Sequence, residues 1–181
     1  REIALFPLNI VAFPGEAVNL HIFEPRYKAL VQDCLKDNTT FGIPSYVLNN
    51  IELGTEVEIT EVVKVYDDGR MDIKTRATQV FQVYDFWNPW GELEYAGGKI
   101  DYLIPGNDLA DPGLLYQFKE MSARLFGWLG EDDVPDISTI NSVFKIGHKI
   151  GLKPEEEYKL LTIEDEDARL SYAIKHLEHL L

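Results

Sequence analysis

"LFPLNIVAFPGEAVNLHIFEPRYKALVQDCL", residues 5–35, crowds two Phe-Pro pairs, a Pro-Gly turn and a Glu-Pro-Arg-Tyr run into one short stretch. Pro7 and Pro14 cannot donate to a β-ladder, so they belong at strand ends or edges, and Pro14-Gly15 turns the chain. Ile3, Leu5 and Leu8 on one side, and Val18, Leu20 and Ile22 on the other, recur at strand spacing. Two short strands over residues 3–23 follow. From Glu24 the period changes: Tyr27, Leu30, Val31, Cys34 and Leu35 form one helical stripe. Pro25 suits the first helical position, where its missing N–H costs nothing, and Glu24 complements the positive end of the helix. The helix is expected to end near Lys36–Asn38, with Pro25 and Tyr27 anchoring it against the sheet.

The strand grammar continues through "FGIPSYVL" and then through Val57, Ile59, Val63 and Val65, a period of two broken only by Glu61. Asp68-Gly69 marks a tight hairpin turn, after which Met71 and Ile73 resume the alternation. Val80, Phe81 and Val83 read as a further strand, "YDFWNPWGELEY" as an aromatic-rich loop, and "GGKIDYLI" as a strand closing the sheet. After Pro105 the pattern is helical. Leu114, Phe118, Met121, Leu125 and Trp128 form one stripe, and Ile140, Val143 and Phe144 a second. Gly151 is placed as a helix C-cap, Pro154 and three glutamates as a helix start, and Thr162 with Asp165 as a capping box ahead of Leu170, Ala173, Ile174 and Leu177. Four helices are therefore expected after the sheet. The seam falls at "IPGNDLADP", residues 104–112, dividing a β-rich domain (1–105) from a helical bundle (106–181).

Composition narrows the function classes. The net charge is −14, and it is spread evenly: residues 1–105 hold 9 basic and 16 acidic side chains, residues 106–181 hold 8 and 15. A nucleic-acid binder needs a Lys/Arg patch for its phosphate contacts, whereas basic residues here sit singly among acids. Anionic membrane surfaces are disfavoured for the same reason. No apolar run approaches the ~20 residues of a membrane span, and the N-terminus lacks a signal pattern. With Arg1 in place of Met, the chain is expected to have been trimmed, and the sequence does not tell what preceded Arg1. The single Cys34 can form no internal disulfide, which favours a reducing, cytoplasmic compartment.

"LFPLNIVAFPGE…LHIFEPRYKALVQDCL" resembles the signature of the Lon protease N-terminal, substrate-binding domain family, with its Phe-Pro-Leu, Phe-Pro-Gly and Ile-Phe-Glu-Pro-Arg-Tyr elements in order. The likeness continues through "FGI", "GTEVEITEVVKVYDDGRMDI" and "VFQV", and more weakly through "LLTIEDEDARLSYAIKHL". It departs at Ala77, where the family usually has Gly, and at Val80, where it usually has a basic residue. The resemblance implies an α+β fold, a PUA-like β pseudo-barrel followed by a C-terminal helical bundle. A full Lon protease also carries an ATPase module and a Ser-Lys peptidase module. This sequence has neither a Gly-x-x-x-x-Gly-Lys-Ser/Thr loop nor room for them, so the chain is expected to be a stand-alone, non-enzymatic member.

Candidate chemistry is sparse. At strand spacing His21 and Glu24 face opposite ways, and no second ligand pair follows. His176 and His179 share a helical face at i, i+3, with only Glu178 beside them. Cys34 sits in an apolar stripe, as a core thiol does. The triplets Glu131–Asp133 and Glu155–Glu157 lack the spacing of a calcium loop and read as loop and helix-start charges. No metal or cofactor is expected. The cluster Phe86, Trp87, Trp90 and Tyr95 is different, because two tryptophans flanking Asn88-Pro89 are hard to bury. It has two readings, core packing or a groove between the two parts that contacts peptide.

Taken with the resemblance, these features point to a non-catalytic module binding exposed apolar peptide segments of unfolded proteins or a protein partner, such as a protease or chaperone acting in trans. The alternatives are a small hydrolase, for which the sequence offers no nucleophile–base pair, and a PUA-like RNA binder, which the charge opposes.

Overall fold

Phe13-Pro14-Gly15-Glu16 has the form of a type II turn, with Glu16 N–H donating to Phe13 C=O at 3.0 Å and Gly15 at φ +87°. A side chain at that φ is strained, which is why glycine stands there. Gly15 N–H then donates to Ala77 C=O, and Ala77 N–H to Glu16 C=O, both at 2.8 Å. Two residues thus oppose one, a G1 bulge that hands the chain from turn to strand. The Phe-Pro-Gly element is a strand-starting device, and the small Ala77 is its opposite residue.

The structure is a computed structural model and describes residues 1–130 and 134–181. It comprises two units, Arg1–Leu103 and Ile104–Leu181. The first holds strands β1 (Glu2–Leu5), β2 (Ala17–Ile22), β3 (Phe41–Pro44), β4 (Leu53–Val65), β5 (Met71–Trp87) and β6 (Ala96–Tyr102), with helix α1 (Pro25–Asp37). Strand order is β2-β5-β4-β3-β1-β6, and β5 also pairs with β6. Five strands therefore close into a ring with β2 appended to the outside of β5, a pseudo-barrel rather than a regular barrel. All pairs are antiparallel except β1–β3.

β5 makes this closure possible. The sequence splits it into two strands, but it runs unbroken for 17 residues. Its first part pairs with β2 from Met71 to Arg76 and its last part with β6 from Phe81 to Trp87, while β4 follows it from Leu53↔Gln82 to Val65↔Met71. Register shifts between Ile59/Glu61 and Val62/Lys64 also upset the alternation expected of β4. Val62 packs against the core, whereas Val63 and Val65 are exposed.

α1 lays Leu30, Val31 and Cys34 on the sheet, where they join Phe41, Ile43, Val57, Ile73 and Ala77 in the main core. Leu35, the last member of the expected stripe, is exposed. Tyr27 stacks on Phe6, and Asn38 ends the helix in the left-handed region with its N–H on Cys34 C=O.

In the second unit α2 (Pro112–Leu129) is capped by Asp111, whose carboxylate accepts from Leu114 N–H at 3.0 Å. Phe118, Met121 and Leu125 are buried along it, but Trp128 is 74% exposed and drops out of the expected stripe. α2 packs against α4 (Glu166–Leu180), and α3 (Pro154–Thr162) precedes α4. The helix expected at Ile140, Val143 and Phe144 is absent. Two 3₁₀ turns, Ile137–Thr139 and Val143–Lys145, stand there instead. Among the described residues the unit has three α-helices, not four, and Gly151 (φ +81°) follows no α-helix. The capping box of Thr162 and Asp165 is not formed either. Thr162 Oγ1 donates to Lys159 C=O inside α3, while Asp165 accepts from Asn107 N–H at 2.8 Å and Asp167 from Asp111 N–H at 2.7 Å. The N-cap and first turn of α4 therefore hold Asn107 and Asp111 in place. Among the described residues no helix is long and apolar enough to cross a membrane.

Candidate functional site

Strand β5 carries the aromatic cluster further into the sheet than its composition suggests. Phe86 and Trp87 are not in a loop: they pair with Gly98 and Gly97 of β6. The connecting segment is only residues 88–95, closed by Trp90 N–H on Tyr95 C=O at 2.9 Å and Leu93 N–H on Trp90 C=O at 3.0 Å. Trp90 folds back over β6 because Gly97 has no Cβ. A methyl there would fall inside the indole's van der Waals envelope. The Trp87 and Trp90 rings stand 6.2 Å apart at 31°, a tilted pair, with Trp90 resting on the main core and both half-buried.

Tyr95 has a different place. It is 5% exposed, and its hydroxyl donates to Asp33 Oδ2 on α1 at 2.5 Å. Burial, reinforced by the Asp33 carboxylate, raises the phenol's pKa well above its ordinary value and keeps it a donor. Tyr95 thus braces the segment against α1. Phe86, 37% exposed, lies by strand alternation on the opposite face from Trp87. The register shift at Val83/Asp85 separates it from Tyr84, which is 58% exposed and which the sequence does not single out. The four predicted residues are therefore a half-buried tryptophan pair, its buried brace and one aromatic on the far side of the strand.

Residues 2–111 match the ATP-dependent protease La (LON) substrate-binding domain. The chain belongs to this family. The match takes in all six strands and α1. Members of the Lon substrate-binding domain family are substrate-recognition modules without catalytic machinery of their own. In fold the chain is similar to a Lon N-terminal domain protein from Xanthomonas campestris, with a TM-score of 0.74 and 24% identity over 97% of this chain and 98% of that one. It is also similar to the N-terminal domain of the Mycobacterium avium complex Lon protease, with a TM-score of 0.76 and 14% identity over 100% of both chains. No curated protein matches it in sequence.

Other candidate groups of this Lon substrate-binding domain are held in contacts within the chain. His21 Nδ1 lies 2.5 Å from Asp72 Oδ1 across β2 and β5, and Tyr66 OH donates to Asp72 Oδ2 at 2.6 Å. These bonds, Tyr66 first and His21 second, hold the Asp72 carboxyl below the usual carboxylate range. The sequence gives no hint of this trio, whose members are brought together only by strand pairing. Glu24 pairs with Arg26 at 3.1 Å. His176 Nε2 meets Ile150 C=O at 2.7 Å, and among the described residues no three His, Cys, Asp or Glu gather as a metal group would. Burial pushes the Cys34 thiol up, away from the nucleophilic thiolate. Glu155–Glu157 occupy the first turn of α3, where Glu156 accepts from Lys153 N–H at 2.9 Å. The triplet Glu131–Asp133 lies outside the described residues.

Proposed function

We propose that this domain recognises exposed apolar segments of unfolded proteins through the Trp87–Trp90 pair, with Phe86 on the adjoining face and Tyr95 as the brace that fixes the segment, and that it performs no chemistry itself. The observation that carries this is the pair's partial exposure at a strand end, where two indoles are pre-positioned by Gly97 and the Tyr95–Asp33 bond. Tryptophan is the residue most enriched among binding hot spots, and rigid aromatics lose little entropy on binding.

Magnitudes favour weak capture. An apolar patch of about 300–600 Å² at about 25 cal/mol/Å² contributes roughly 7–15 kcal/mol gross. Association costs of about 4–15 kcal/mol offset most of that. Weak single-site binding suits a module that hands substrate to a tethered or separate protease or chaperone. The charge of −14 favours neutral or basic apolar segments over acidic ones. A lone buried cysteine fits a reducing cytoplasm.

The test is a peptide array probed with wild type, Trp87→Ala and Trp90→Ala, each checked for fold by circular dichroism. Loss of signal on apolar spots with the fold retained supports the reading. Binding equal to wild type in both variants rules it out.

A further inference from the structure

β2 is an edge strand without the usual protection. It pairs only with β5, and nothing among the described residues pairs with its other side. The Ala77–Glu16 bond sets the phase of the ladder: Val18, Leu20 and Ile22 turn their N–H and C=O groups toward β5, and Ala17, Asn19 and His21 turn theirs outward. Thr75 Oγ1, donating to Val18 C=O at 2.8 Å, agrees with that phase. Folded proteins commonly blunt such an edge with lysine, proline or a covering loop. Residues 17–23, "AVNLHIF", contain no proline and no Lys, Arg, Asp or Glu. Ala17, Asn19 and His21 are exposed, and Phe23 at the strand's end is 58% exposed.

Beside the edge lies a groove of about 310 Å³, lined by Asn19, Leu20, His21, Val63, Asp72 and Lys74 among others. Four cations stand near it: Lys74 pairs with Glu61 at 3.6 Å, Arg76 donates to Gly15 C=O at 3.1 Å, and Lys64 and Arg70 lie over the Tyr66 ring at 4.4 and 4.7 Å, Arg70 also paired with Asp68. The edge itself carries no charged side chain, and the chain as a whole, at −14, attracts positive charge.

We infer that the outer edge of β2 receives an extended peptide segment by strand addition, and that the favoured occupant is an unfolded segment alternating apolar and basic residues. This deepens, and rests on, the reading of the domain as a recognition module. The backbone of the incoming segment bonds to Ala17, Asn19 and His21, which gives affinity with little sequence demand. Side chains on one face of the added strand lie beside the groove, and its cations are drawn by the net negative charge of the chain. Sequence-tolerant backbone capture is what a module handling many unfolded chains requires.

The experiment is fluorescence anisotropy with a short fluorescein-labelled peptide of alternating Val and Lys, and with the same peptide N-methylated at every residue. Both are titrated with wild type, Asn19→Pro and Trp87→Ala. Proline at position 19 removes an outward N–H that no internal bond uses, so the ladder to β5 survives. The expected result is that N-methylation abolishes binding to wild type and Asn19→Pro weakens it about tenfold or more. Equal binding of the N-methylated peptide to wild type overturns the proposal, and that comparison does not depend on how any variant folds. If only Trp87→Ala loses the peptide, strand addition is wrong while aromatic recognition stands. If wild type binds neither peptide, both readings fall.

Discussion

Phe6 and Tyr27 stack face to face, ring centroids 3.7 Å apart and planes inclined by 15°. This contact joins the Phe-Pro-Leu element that follows β1 to the Glu-Pro-Arg-Tyr element that begins α1, and so explains why both recur in one short stretch. Phe6 is buried, so Phe6→Ala is expected to cost about 3–5 kcal/mol. Tyr27 is half-buried and its truncation should cost less. A double-mutant cycle by denaturant unfolding should return a coupling of about 0.5–1.5 kcal/mol beyond the two areas. Strict additivity would mean the rings touch without supporting one another.

Gly97 is the residue that lets Trp90 lie on β6. Gly97→Ala should displace the indole, shift tryptophan emission to the red and destabilise the fold by about 1–3 kcal/mol, the usual range for overpacking. Emission unchanged from wild type would show that Trp90 rests elsewhere in solution.

Much of this fold is legible in the sequence because its signals are local. The Phe-Pro-Gly turn, the Pro25 helix start and the Asp68-Gly69 hairpin are each encoded within a few residues. The failures are all places where distant partners overrule spacing. β5 reads as two strands because its inward positions after Ile73 are Thr75 and Ala77, and a register shift where Val80 and Ala77 face Thr55 and Val57 then breaks its alternation. Ile140, Val143 and Phe144 have helical spacing, yet the turns form because Asp136 caps the first and buried Glu166 accepts Val143 N–H at 2.8 Å. The aromatic cluster is visible as composition, but composition does not say that Trp87 and Phe86 lie on opposite faces of a strand. His21, Asp72 and Tyr66 are invisible as a trio until β2, β4 and β5 are paired.

Asp72 gives the hairpin a pH dependence of definite sign. Its carboxyl, held low by Tyr66 and His21, has a folded-state pKa below its unfolded one. The stabilisation is thus complete above the ordinary carboxylate value of about 3.9 and is lost as pH falls through the lower folded value. Asp72→Asn should be less stable than wild type at about pH 7, with the gap closing toward about pH 2. A gap independent of pH would mean the carboxylate's charge is not what these bonds use.

Glu166 and Arg169 form a buried pair, Oε2 to Nε at 2.8 Å, with Arg169 also on Ile163 C=O at 2.7 Å and over the Phe144 ring. Removing one partner strands the other, so Glu166→Ala is expected to cost about 3–5 kcal/mol. Replacing both by Glu166→Leu with Arg169→Met should recover most of that loss. A double variant as unstable as the single would place the stabilisation in the backbone bonds, not in the ion pair.

Recognition by the Trp87–Trp90 pair is tested most directly by the indole N–H resonances of the full chain. It has three tryptophans, and Trp128, on α2 and 74% exposed, is the internal control. On titration with an unlabelled, unfolded apolar peptide, the Trp87 and Trp90 resonances should shift together and saturate while Trp128 stays fixed. A shift confined to Trp128, or none at any indole while the peptide binds, would contradict the assignment.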